Sequence, residues 1–295
     1  MTRDLRNWLA MGLALPFVLI LGFGPVATAY AENPHRVVSV GGAVTEIVYA
    51  LGAEDRLVAV DATSTHPPAA DELPDVGYMR RLAAEPILAL DPDLLLMVED
   101  AGPPEVIAQL HDTGVPIVAV PDAHSIDGVL DKVRRVASAL DMAEAGETLA
   151  GEIRTAHDGV AARLEGISER PRVLVMIAMG SGAPLAAGAE TSAAAIIAMA
   201  GGRITPDDVT GFKPLSPEAL VKAAPDVIVV PDHSLEALGG AEAILSRPDL
   251  ATTPAARDGR LVAMDALMLL GFGPRTPDAM ATLAKALHPE RMAAQ

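Results

Sequence analysis

Glu85-Pro86-Ile87-Leu88-Ala89-Leu90-Asp91-Pro92-Asp93-Leu94-Leu95-Leu96 has an echo later in the chain. It is Glu218-Ala219-Leu220-Val221-Lys222-Ala223-Ala224-Pro225-Asp226-Val227-Ile228-Val229. In both, a glutamate opens a short helical stretch. Seven residues on, a Pro-Asp turn launches an apolar run. Ser216-Pro217-Glu218 adds an N-cap, a first-turn proline and an acidic first turn to the second copy. Helix, Pro-Asp, strand is common local grammar. Its recurrence at equivalent places of two α/β series points to two lobes.

Working outward, Arg36 to Val40, Leu57 to Val60, Leu94 to Val98 and Ile117 to Val120 are short apolar runs bounded by Gly, Pro or Asp. Val173 to Ile177, Val227 to Val230 and Leu261 to Met264 form a second series. Such runs read as buried parallel strands, and helical patterns separate them. The fold class is therefore α/β, with two lobes whose central sheets are mainly parallel. Between the series, Leu149, Ile153, Ala156, Val160 and Leu164 fall on one helical face. Asp141 is a candidate N-cap that divides this region into two helices. A long backbone helix here would join the lobes stiffly. The expected organisation is a leader over 1–31, an N-terminal lobe over 32–125, a linking helical region over 126–167 and a C-terminal lobe over 168–295.

The leader reading rests on Arg3 and Arg6, an apolar stretch from Leu9 to Phe23, and Ala29-Tyr30-Ala31 as a small-x-small cleavage site. Cleavage near Ala31 implies export, with Ala27-Thr28-Ala29 as the alternative site. The chain has no cysteine, so neither a lipid-modified cysteine nor a disulfide is available. A periplasmic location fits best. The formal charge of −17 argues against nucleic acid as a partner.

Aromatic residues make up only 3% of the chain, yet Tyr78 sits in a loop, in Val76-Gly77-Tyr78-Met79-Arg80-Arg81. A phenol beside fixed positive charge is a candidate anion or ferric-iron ligand. The plain alternative is a half-buried tyrosine with a satisfied hydroxyl. The seven histidines are scattered and lack zinc-site spacing. His66, before Tyr78, could line a cleft or face solvent. Gly271-Phe272-Gly273 lacks the third glycine of a dinucleotide loop, and Gly-x-Ser-x-Gly is absent. These residues give an enzyme reading little support.

Taken together, the two lobes, the linking helix and the paired glutamates resemble the helical-backbone class of periplasmic substrate-binding proteins. These serve ABC importers of siderophores, cobalamin and haem. Ser39-Val40-Gly41-Gly42, Gly77-Tyr78-Met79-Arg80, Gly211-Phe212-Lys213-Pro214-Leu215-Ser216 and Leu270-Gly271-Phe272-Gly273-Pro274-Arg275 are similar to the haemin-binding subgroup. The resemblance implies capture of ferric haem b as a transported ligand, with no catalytic cofactor, by a monomer that delivers it to an ABC permease/ATPase complex. Tyr78 would be the axial ligand of the haem iron, as a phenolate is in catalase. Arg80 would hydrogen-bond that oxygen. Lys213 and Arg275 would be candidates for the propionates, although Arg275 could instead brace its loop. Glu85 and Glu218 would dock onto the permease. Met179 stands where some members carry a histidine ligand, so a five-coordinate iron with Met179 against the porphyrin is expected. A binder of a ferric siderophore or corrinoid with the same fold is one alternative. An exported α/β hydrolase is another.

Overall fold

The computed structural model describes residues 33–178 and 184–293. The leader with its cleavage site, and Met179, lie outside the described residues. In the first lobe the elements are β1 (Val37–Val40), α1 (Gly42–Ala50), β2 (Leu57–Val60), α2 (Ala84–Leu88), β3 (Leu94–Val98), α3 (Pro104–Asp112) and β4 (Ile117–Val120). Then come α4 (Ile126–Ala139) and α5 (Ala143–Arg163). The second lobe opens with β5 (Arg172–Ile177), β6 (Leu185–Ala187), α6 (Ser192–Met199), β7 (Arg203–Ile204), β8 (Phe212–Pro214), α7 (Pro217–Ala223) and β9 (Val227–Pro231). It closes with α8 (Asp232–Ala237), α9 (Ala241–Leu245), α10 (Pro254–Arg257), β10 (Leu261–Met264), α11 (Ala266–Leu270), α12 (Thr276–Leu287) and α13 (Pro289–Ala293).

The first sheet is parallel throughout, in the order β2-β1-β3-β4. The second runs β10-β9-β5-β6-β8, with β7 also on β5. Its β10, β9, β5 and β7 pairings are parallel, and β6 pairs antiparallel to β5 and β8. All seven apolar runs seen in the sequence are strands. β6, β7 and β8 were not legible: they are two or three residues long, and β8 is Phe-Lys-Pro with all three residues exposed. An edge strand of that composition leaves no apolar alternation to read.

The Pro-Asp echo has one structural cause in both lobes. Asp93 accepts from the backbone N–H groups of His35 and Arg36, at the start of β1. Asp226 accepts from the backbone N–H of Arg172 and from its guanidinium, at the start of β5. Hydrogen bonding from Arg172 holds the Asp226 carboxyl below its ordinary pKa. Each aspartate thus fastens its own strand to the start of the lobe's central strand. Each proline follows a residue with positive φ, Asp91 at 49° and Ala224 at 40°.

The linking region is a helix hairpin. Ser125 caps α4 by accepting from Gly128 N. Asp141 does not cap α5: it takes a φ of 58°, and Met142 holds the N-cap position. The chain reverses there within a few residues, which requires a left-handed residue, and aspartate tolerates that region. Ion pairs Arg134–Glu147 and Arg154–Asp127 show that the helices run antiparallel. α4 packs on α1 of the first lobe, and α5 on α12 of the second. At 21 residues, α5 is about 31 Å long. Its inward face carries Ile153, Val160 and Leu164, but Ala156 is exposed and His157 takes the half-buried turn, paired with Asp158. An apolar scan could not find that turn.

Gly146 sets how closely this hairpin closes. A Cβ there would lie 2.4 Å from the Ala137 Cβ, whereas a Cβ at Gly151 would meet nothing within 4 Å. Gly146→Ala is expected to cost about 1–3 kcal/mol, and Gly151→Ala to gain about 0.5–1 kcal/mol. Urea unfolding of the two variants checks this, and equal effects would refute the packing argument.

Candidate functional site: the interlobe cleft

A cleft of about 610 Å³ lies between the lobes. Parallel strands send their following loops to one edge of the sheet, and ligands collect there. In the first lobe, Gly41 and Gly42 follow β1, Ala62 and Thr63 follow β2, Asp100 follows β3, and Asp122 follows β4; all line the cleft. From the second lobe come Phe212 on β8, His233 after β9, and Leu267 and Leu270 of α11. Gly42 is hemmed in by its own lobe and by the other. A Cβ on it would fall 2.3 Å from the Thr63 carbonyl oxygen and 2.6 Å from a Leu267 methyl.

Tyr78 is half-buried on the wall of this cleft. Its loop runs beside β2: Val76 N–H donates to Val60 O, and Ala62 N–H to Gly77 O. Gly77, at φ 97°, turns the chain so that Tyr78 faces the opening. Arg80 Nη1 donates to Tyr78 Oη at 3.0 Å. The Arg81 guanidinium carbon lies 5.8 Å from the centre of the Tyr78 ring, within cation–π range. Arg80 also lines the cleft and pairs with Asp100.

The other sequence candidates fall differently. Lys213 is exposed on β8, and strand alternation puts it on the opposite face from Phe212, which lines the cleft. Arg275 is engaged elsewhere: Nε donates to Glu46 Oε1 at 2.6 Å, and Nη2 to Asp265 Oδ1 at 2.9 Å. Its charge ties the lobes together. Glu85 and Glu218 are both exposed, in the first turns of α2 and α7. Hydrogen bonding at the start of α7, from the residue's own backbone N–H and then from Ser216, lowers the Glu218 pKa. A larger groove of about 820 Å³ lies against Glu218, between Pro217, Val221, Arg247 and Pro248. It is lined by one lobe only, and the cleft, walled by both, is the better ligand site.

Sequence reasoning missed His124 and His233, which both line the cleft. It also missed Lys132, whose side chain is 1% exposed on α4. Lys132 Nζ donates to Asp122 Oδ1 at 2.7 Å and to the Gly271 carbonyl at 3.3 Å, crossing between lobes. Burial opposes ionisation of Asp122, but hydrogen bonding from His124 and the charge of Lys132 outweigh it and hold its carboxyl far below the usual range. The His124 ring packs on buried Phe272, with centroids 5.2 Å apart. An amphipathic helix gives no sign that one of its lysines turns inward. Among the described residues, no group of three or more His, Cys, Asp or Glu is placed to hold a metal ion. No helix among them is long and apolar enough to cross a membrane.

Two α/β lobes enclosing one cleft at their strand ends define a substrate-binding protein of the cleft type. The periplasmic binding protein family matches residues 37–267, and the chain belongs to that family. The apo periplasmic heme-binding protein RhuT from Roseiflexus sp. RS-1 superposes with a TM-score of 0.83 at 41% identity, covering 87% of this chain and 99% of that one. The periplasmic heme-binding protein BhuT, in complex with two hemes, gives 0.80 at 43% identity, over 88% and 99%. A cobalamin-binding protein of Halobacterium salinarum is 29% identical over 268 residues, 87% of this chain and 70% of that protein. The family and these neighbours bind and carry substrates and are not enzymes, so the hydrolase alternative falls away.

Glu46, on α1, is buried, and burial pushes its pKa up to about 7 against the opposing pull of Arg275. Burial also works against the Arg275 charge, but that side chain faces two carboxylates, and its pKa rises. A carboxyl with a raised folded-state pKa stabilises the fold below its unfolded pKa, and that contribution is lost as pH rises through the folded value. Relative to Glu46→Gln, the wild type should therefore lose up to about 3 kcal/mol of stability between pH 4.5 and pH 8. Urea unfolding of both proteins across that range tests it. A pH-independent difference would contradict it.

Proposed function

We propose that this protein captures ferric haem b in the interlobe cleft, in the periplasm, and delivers it as a monomer to an ABC permease/ATPase complex. The observation that carries the reading is the Tyr78 hydroxyl at the cleft wall, already accepting a hydrogen bond from Arg80. A phenolate is a hard anionic ligand suited to ferric iron. The porphyrin would lie against apolar side chains from both lobes, Val44, Met79 and Val98 facing Phe212, Leu267 and Leu270. Burial of that large apolar ring supplies most of the affinity, and Tyr78 supplies selectivity for iron.

Arg275 is assigned to holding the lobes together, and Lys213, on the face of β8 turned from the cleft, is given no part in binding. Tyr78 is the iron ligand in this reading, and the expected ferric complex is five-coordinate. Haem binding by RhuT and BhuT supports haem as cargo. The cobalamin-binding relatives keep a corrinoid as the second reading.

Haemin titration of the mature protein should give a ferric complex with a phenolate-to-iron charge-transfer band. Tyr78→Ala should abolish the band and weaken binding at least ~10-fold. Unchanged affinity and spectrum would remove Tyr78 as ligand. Tighter binding of cyanocobalamin than of haemin would favour the corrinoid. One exposed glutamate per lobe, Glu85 and Glu218, is assigned to permease docking. Glu85→Ala/Glu218→Ala should leave haemin affinity unchanged while cutting association with the cognate importer by ~10-fold or more. Pull-down with the reconstituted importer reads this, and undiminished association would refute the docking role.

A further inference from the structure

We infer that Asp100 is a positioning residue for the Tyr78 oxygen, acting through Arg80, an inference that rests on the haem reading above. Asp100 follows β3 and lines the same cleft wall, twenty residues from Arg80. The backbone brings the two loops together. Gly102 N–H donates to Met79 O, and Leu82 N–H to Gly102 O, each at 2.9 Å. Those two bonds bracket Arg80 and hold it beside Asp100.

The guanidinium is a planar fork. One of its terminal nitrogens, Nη1, points at Tyr78 Oη, and the other, Nη2, is taken by Asp100 Oδ2. Fixing one prong fixes the direction of the other. Arg80 is exposed, and a long side chain left untethered there would sample many rotamers. Without Asp100 the donor to Tyr78 would be only intermittently in place.

Charge gives a second reason. Arg80 approaches the Tyr78 hydroxyl and Arg81 its ring. A ferric centre bound at Tyr78 would meet two cations close by. Asp100 offsets one of them, so the hydrogen bond to the phenolate is kept without its full repulsion of the iron. A bound porphyrin would exclude water from this wall, and both effects grow as the local dielectric falls.

The test uses the full mature protein and ferric haemin. Asp100→Ala should raise the haemin dissociation constant by ~10-fold and broaden or shift the phenolate-to-iron band. Asp100→Asn should fall between, since it can accept from Arg80 without the charge, and Asp100→Glu should restore both readouts. Arg80→Ala should show the same defect, and Arg80→Ala/Asp100→Ala should be no worse than Arg80→Ala. Wild-type affinity and band in Asp100→Ala, or additive effects in the double variant, would overturn the inference. Loss of the band in Tyr78→Phe with an unaltered Asp100→Ala would sink only the role of Asp100. Failure of the wild type to bind haemin would sink the haem reading itself.

Discussion

The segment from Asp265 to Arg275 must satisfy both lobes at once, and the geometry of the cleft follows from that. Arg275 reaches Glu46 on α1 while keeping Asp265 of its own lobe. The Gly271 carbonyl accepts from Lys132 of α4, and Phe272, buried at a φ of 49°, packs on His124. Leu267 closes on Gly42. Charged partners buried between lobes are costly to leave unpaired. The paired arrangement is therefore strongly preferred over one that pulls them apart. One apolar core cluster also runs from the first sheet through α4 and α5 into α12. These features favour a cleft of set width over a freely swinging hinge.

Within that frame, both sheets deliver loops to the same opening. The parallel strands do so without any special sequence, because every strand's carboxyl end lies on one edge. What distinguishes the site is the chemistry carried by a few loops. Tyr78 projects from a loop zipped to β2, and Arg80 and Asp100 are brought together by the loop after β3. The opposite wall is apolar where Phe212, Leu267 and Leu270 stand. A flat ligand with an apolar body and a hard, positive centre matches that division.

Much of this was legible in the sequence. The seven short apolar runs became strands because buried parallel strands must be apolar on both faces. The Pro-Asp echo was visible as a pattern, but its cause, an aspartate fastening the neighbouring strand, needed the pairing across 54 to 58 residues. Tyr78 was conspicuous as a rare aromatic in a glycine turn. Asp100, Lys132 and His233 were invisible, since each is an ordinary polar residue until long-range folding turns it toward the cleft. Arg275 was seen, as a candidate for the propionates or a brace for its own loop. Only the structure places buried Glu46 within its reach, 229 residues away.

The central claim is that iron sits against Tyr78 between the lobes. An iron-edge anomalous difference map from crystals of the haemin-loaded protein tests it most directly. The account predicts a strong peak within coordination distance of Tyr78 Oη, with the porphyrin lying between Met79 and Phe212. A haem bound elsewhere, or an iron in the cleft with no contact to Tyr78, would contradict it.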